Sequence, residues 1–124
     1  MARRVRVLVV DDEQSVLDVL GRWLRHWGYE VRTVTSADHA IVAMEFEPAD
    51  IVVVDLIMPG HDGVWLLQQL HERWPSTVAI VESGAQETET IMKARHAGAI
   101  SFLPKPFGRE MLWQALARAA ELSQ

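Results

Sequence analysis

Ile51-Val52-Val53-Val54-Asp55 is a run of four β-branched residues closed by a carboxylate. A strand with no polar alternation is one covered on both faces, the habit of parallel sheets. Three more apolar runs stop at polar punctuation. Val5-Arg6-Val7-Leu8-Val9-Val10 halts at Asp11-Asp12, Thr77-Val78-Ala79-Ile80-Val81 halts near Ser83, and Ala99-Ile100-Ser101-Phe102-Leu103 halts at Pro104-Lys105-Pro106. Glu30-Val31-Arg32-Thr33-Val34 is a shorter fifth strand.

Segments of helical period lie between these runs. The first spans Glu13 to Trp27, with Leu17, Leu20, Leu24 and Trp27 on one face and Gly28 suited to a left-handed end. Ser36 caps a second that runs to about Phe46 and is stopped by Pro48. After a tight loop at Pro59-Gly60 and Gly63, a third helix carries Leu67, Leu70 and Trp74 and ends at Pro75. A fourth, from about Gln86 to Ala97, has weak periodicity through Ile91, Met92 and Ala94, and Gly98 ends it. The last runs from about Arg109 to Leu122 with Leu112, Leu116 and Ala119 inward. Five βα units imply an α/β, flavodoxin-like parallel sheet with right-handed crossovers and helices on both faces. The common strand order is 2-1-3-4-5, which places ligands at the carboxyl ends of strands 1 and 3.

The 124 residues fit one domain, taken here as residues 1–124. Apolar residues make up 49% and charged residues 23%, as in ordinary globular chains. With 0 cysteines, disulfides, zinc thiolates and thiol catalysis are excluded. A net charge of -5 argues against direct nucleic-acid binding, and Arg3, Arg4 and Arg6 read as a solvated end. The apolar runs are far shorter than the ~20 residues of a membrane span, and the start lacks a signal-peptide pattern. These features are those expected of a soluble, cytoplasmic chain.

The expected topology gathers Asp11, Asp12 and Asp55 at one crevice, with Ser83 and Lys105 on its far side. Crowded carboxylates raise one another's pKa unless a cation intervenes. Mg²⁺ suits one or two carboxylates, a carbonyl, waters and a phosphate. Taken singly, each residue has a plainer reading. Asp11-Asp12 can cap a helix, Ser83 can be a turn residue before Gly84, and Lys105 can be a surface lysine. Lys105 is nonetheless one of two lysines among 12 basic residues, and a flexible ammonium reaches a phosphoryl oxygen well. Pro104 and Pro106 flank it, which favours a stiff turn and a cis Lys105-Pro106 bond. His26, His39, His61, His71 and His96 have no metal-ligand spacing.

Together these residues resemble the receiver domain of two-component response regulators. The resemblance covers essentially the whole chain. Its motifs are Val9-Val10-Asp11-Asp12-Glu13, Asp55-Leu56-Ile57-Met58-Pro59-Gly60 with Asp62-Gly63, Ser83-Gly84, and Lys105-Pro106-Phe107. It implies that Asp55 is a phosphoacceptor and that Asp12, Asp55 and the Ile57 carbonyl hold Mg²⁺, with Asp11 assisting. Lys105 would pair with the phosphoryl group and Ser83 would bond to it after transfer. Phe102 matches the aromatic switch position. The implied partners are a sensor histidine kinase or phosphotransfer protein, and an output domain or downstream protein on the face of helix 4, strand 5 and helix 5. Homodimerisation is left open. Catalysis would be limited to Mg²⁺-dependent self-phosphorylation and self-dephosphorylation, so the chain is expected not to be an enzyme in the ordinary sense.

Some residues depart from the pattern. Glu82 stands where the family usually has an apolar residue. Inward it would oppose phosphorylation, outward it would face a partner, and both readings stay open. Ile57 and Ala85 cannot orient a hydrolytic water, so a long-lived acyl phosphate is expected. Trp27 and Trp74 fit inward faces, Trp23 and Trp65 have no clear place, and Trp113 is read as a rim residue or a contact for a partner. An aspartyl-phosphate phosphatase would want an acid at position 57, where Ile57 stands. A pseudo-receiver that only binds a partner is disfavoured by intact Asp12, Asp55 and Lys105. A flavodoxin-like cofactor binder is disfavoured by the acidic loop Asp11-Asp12-Glu13.

Overall fold

The computed structural model describes residues 3–84 and 88–123. Strands β1 (Arg6–Val10), β2 (Glu30–Val34), β3 (Ile51–Asp55), β4 (Val78–Ser83) and β5 (Ser101–Pro104) alternate with helices α1 (Gln14–His26), α2 (Ala37–Phe46), α3 (Gly63–Arg73), α4 (Thr88–His96) and α5 (Arg109–Leu122). The sheet is wholly parallel in the order β2-β1-β3-β4-β5, as the alternation of elements requires. Helix boundaries agree with the sequence reading to within about two residues, the usual play at helix ends. The expected start of α4 at Gln86, and Ala85, lie outside the described residues.

Period-two alternation divides each strand between two cores. Val7, Val9, Ile51, Val53, Ile80 and Leu103 pack with the buried faces of α1 and α5. Leu8, Val10, Val52, Val54, Ala79 and Val81 pack with α2, α3 and Ala94 of α4. All five residues of β3 are buried, which is why its sequence carries no polar alternation.

Helix ends follow local chemistry. Ser36 Oγ accepts from the His39 N–H, and Asp62 caps α3 by accepting from the Trp65 N–H. Gly28 (φ +93°) and Gly98 (φ +104°) take the left-handed conformation after α1 and α4. α2 ends without such a glycine. Arg32 of β2 instead donates to the carbonyls of Ala43 and Glu47, covering the Glu47 acceptor past the last turn and adding to the Glu47 N–H already on Ala43.

Arg3 and Arg4 are exposed, as a solvated end would be, while Arg3 and Arg6 also pair with carboxylates. Arg3 makes a two-pronged pair with Asp50, both bonds 2.7 Å, and Arg6 lies 3.4 Å from Glu47 and 3.8 Å from Glu30. Asp50, at the mouth of β3, takes the Arg3 guanidinium and the Arg6 N–H, so these residues tie β1 to its neighbours. The tryptophans also find places. Trp27 meets Trp113 edge-on at 5.3 Å and Trp23 at 6.4 Å, joining α1 to α5. Trp65 stacks on His61 at 3.8 Å, and His61 pairs with Asp38 of α2 at 2.8 Å.

Gly63 is where α3 touches the sheet. A Cβ there would lie 2.7 Å from Leu56 Cα and closer still to the Asp55 carbonyl oxygen. Its N–H donates to the Leu56 carbonyl at 2.9 Å. Gly63→Ala is expected to cost on the order of 3 kcal/mol, because backbone rather than a flexible side chain must yield. The denaturant midpoint measures this, and an unchanged midpoint would contradict the contact.

Candidate functional site

The site is the charged continuation of the α1–α5 core. Val9, Val53 and Ile80 lie side by side in register on that face. Two residues further along each chain come Asp11, Asp55 and Glu82, with Asp55 and Glu82 direct register partners. Lys105 follows two residues after Leu103 of the same core. Where helices no longer cover the strand ends, the apolar row becomes a polar one.

Asp11 is fully buried. One oxygen accepts from the Glu13 N–H at 2.9 Å and the other from Lys105 Nζ at 3.0 Å. Asp55 is 6% exposed; one oxygen accepts from the Ile57 N–H at 3.2 Å and the other from Lys105 Nζ at 3.3 Å. Asp12 is exposed at the rim, and ligand oxygens of Asp11, Asp12 and Asp55 all lie within 4.8 Å of one another. Ile57 turns its side chain to solvent. Ser83, at the end of β4, is nearly buried, and its carbonyl accepts from the Lys105 N–H at 2.9 Å. The Lys105–Pro106 bond is cis. Asp11, Asp12, Asp55 and Lys105 therefore converge, and Ser83 is tied to them through its backbone carbonyl on the Lys105 N–H. Phe102 lies half-buried on β5, against the α2–α4 core, with the Arg95 guanidinium 5.0 Å above its ring.

Glu82 resolves to the inward alternative. It is completely buried beside Asp11, with Lys105 Nζ 3.7 Å away. Burial first, then a hydrogen bond to Asp11 and repulsion by it, push its carboxyl up to about 9. At neutral pH it carries a proton, so it does not add a full charge against an incoming phosphoryl group. Burial also raises Asp55, aided by repulsion from Asp11 and opposed by the Ile57 N–H and Lys105. For Asp11, burial pulls upward, but hydrogen bonds from Glu82, the Glu13 N–H and Lys105 outweigh it and hold the acid below its ordinary range. Lys105 is likewise raised, since Asp11, Glu82 and Asp55 overcome the penalty of burial.

The donor set fits a hard divalent cation. Three converging carboxylates and an adjacent backbone turn offer oxygen ligands only, and an ammonium already occupies their midst. Such an arrangement can neutralise, orient and activate one carboxylate toward an electrophilic phosphorus.

Known proteins resemble this chain in sequence and fold. The profile of the response regulator receiver domain matches residues 7–117. The hydrogenase transcriptional regulatory protein HoxA of Cupriavidus necator is 37% identical over 120 residues, 96% of this chain and 25% of that protein. The DNA-binding transcriptional regulator NtrC of Salmonella typhimurium is 34% identical over 101 residues, 82% of this chain and 22% of that protein. The chain thus spans about a quarter of the length of these relatives. NtrX from Brucella abortus, solved in complex with ADP, superposes with a TM-score of 0.91 at 32% identity, over 98% of this chain and 28% of that one. The signal receiver domain of an HD domain-containing protein from Pseudomonas fluorescens Pf-5 reaches 0.94 at 30% identity, over 98% of each chain.

Proposed function

This chain belongs to the response regulator receiver domain family, and from that premise we propose that Asp55 accepts a phosphoryl group from a sensor histidine kinase or a phosphotransfer protein. The observation that carries the reading is the Lys105 ammonium bridging Asp55 and Asp11 inside a cluster of three converging carboxylates. An Asp55 oxygen attacks phosphorus in line. The new O–P bond forms as the bond to the donor nitrogen or oxygen breaks, and the donor leaves with the electron pair. Asp11, Asp12, Asp55 and the Ile57 carbonyl would hold Mg²⁺, which when bound neutralises charge on the transferring oxygens. The Ile57 N–H holds one Asp55 oxygen and so orients the other for attack. Lys105, already at Asp55, follows the phosphoryl oxygens as their negative charge grows. The chain acts on its own carboxylate and is not a turnover enzyme on a separate substrate.

The acyl phosphate carries about -2 charge and new acceptor oxygens. Ser83 bonds to it, β4 shifts, and Phe102 turns inward, leaving the Arg95 guanidinium. The output face is then α4–β5–α5, where Met92 is 52% and Met111 45% exposed. Trp113 is not part of this face. It packs on Trp27 of α1, because helical spacing points it away from Met111 and Gln114, which line the groove beside β5.

Incubation with acetyl phosphate and Mg²⁺, followed by intact mass, tests the assignment. Wild type is expected to gain one phosphoryl mass, and Asp12→Asn to label at least tenfold more slowly, about the loss of one charged ligand. Full-rate labelling of Asp12→Asn would sink the cation reading. Ser83→Ala is expected to accept phosphate normally yet leave the Phe102 ring resonances at their unphosphorylated positions. A third expectation concerns lifetime. Ile57 has no group to orient water, so the acyl phosphate should last many minutes or more, and decay within seconds would contradict it.

A further inference from the structure

Glu82 is a buried side chain of the site to which the phosphoryl-transfer reading gives no task. It is fully enclosed, and among the described residues no group offers either of its oxygens a hydrogen within bonding distance. A buried carboxyl whose oxygens accept no hydrogen bond lowers stability even when its own proton is turned to Asp11, so its presence calls for a use. Lys105 Nζ lies 3.7 Å from Glu82, just beyond a hydrogen bond, against 3.0 Å from Asp11 and 3.3 Å from Asp55. Glu82 also stands outside the trio whose oxygens converge.

These distances set a conflict. The ammonium rests on two of the three carboxylates that would ligate a divalent cation. Two positive centres on the same oxygens repel strongly in a partly buried site. Lys105 therefore needs another acceptor close enough to keep it beside Asp55 but off the cation's ligands. We propose that Glu82 is a positioning residue that takes the Lys105 ammonium when a divalent cation enters the cluster of Asp11, Asp12 and Asp55. A small rotation of the lysine stem closes the gap. A carboxyl oxygen accepts from an ammonium whether or not the other oxygen carries a proton. Lys105 then waits behind the phosphoacceptor, ready for the phosphoryl oxygens. This inference rests on the cation reading of the cluster.

Calorimetric titration of the chain with Mg²⁺ tests it. Glu82→Gln, whose amide oxygen still accepts, is expected to bind within about threefold of wild type, and Glu82→Met, of similar length but apolar, about tenfold more weakly. Because Lys93 and Lys105 are the two lysines of the chain, ¹⁵N-lysine labelling isolates the ammonium signal. On adding Mg²⁺ it should shift yet stay protected from exchange in wild type and in Glu82→Gln, and lose protection in Glu82→Met. Equal Mg²⁺ affinity in wild type and Glu82→Met would overturn the proposal. If Glu82→Met does not fold, the ¹³C carboxyl signal of Glu82 in wild type decides: a shift on Mg²⁺ addition supports the transfer, and no shift overturns it. Asp12→Asn separates the two readings. If it binds Mg²⁺ as wild type does, the cation site itself fails and this inference with it. If it binds weakly while Glu82→Met binds normally, only the role of Glu82 fails.

Discussion

Asp55→Asn, treated with acetyl phosphate and Mg²⁺, is expected to keep its unmodified mass while wild type gains one phosphoryl group. The loss should be complete rather than partial. Asp11 is fully buried whereas Asp55 keeps 6% exposure, so an approaching phosphodonor meets Asp55 first. Asp12 sits at the rim, outside the reach of Lys105 that the site geometry gives Asp55. An amide at 55 keeps shape and one acceptor but is a far weaker nucleophile, and chemistry lost with its nucleophile falls by many orders of magnitude. Labelling of Asp55→Asn at the wild-type rate would refute the phosphoacceptor assignment outright.

The second large effect is a pH dependence of stability that Glu82→Gln should remove. In the folded chain burial beside Asp11 pushes the Glu82 carboxyl up to about 9, against 4.5 for the free group. Below the lower value both states hold the proton and the contribution of this group to stability is fully present. Between the two values the folded state keeps a proton that the unfolded chain has released, so each rise in pH favours unfolding. The contribution is lost as pH climbs through the folded value. The sum over this window is on the order of 3–6 kcal/mol. Glutamine has no proton to lose, and its amide N–H can donate to Asp11. Denaturant unfolding in chelator-treated buffer should give wild type a stability that falls from pH 5 to about 9 relative to Glu82→Gln. Parallel curves for the two proteins would mean that the carboxyl is not held neutral by its surroundings.

Much of this molecule is legible in its sequence because the deciding features are one-dimensional. The uniform β-branching of residues 51–54 marks a strand covered on both faces, and a βα alternation leaves few topologies. The motifs at strand ends then fall together as a consequence of strand order. Glu82 shows where such reading stops short, and also how it can go further. Its orientation stays open if the residue is compared with a family pattern alone. It is fixed once β4 is in register, since Ile80 belongs to the α1–α5 core and Glu82 lies two residues on. Parity along one strand is thus the signal that fixes it. Other features have no local signature. The stacking of His61 on Trp65 depends on how the loop after β3 folds over α3. The direction of Trp113 depends on Trp27, eighty-six positions away in sequence. The pairing of Arg3 with Asp50 needs the ends of β1 and β3 to be neighbours before charge can matter.

The contact at Gly63 has a mechanical consequence. Main chain rests directly on main chain there, with no side chain between to compress, so the spacing of α3 from Asp55 is as incompressible as a gauge block. Any push generated at residue 55 meets a rigid abutment on that flank. Displacement of residue 55 has to be taken up by some other element around the site.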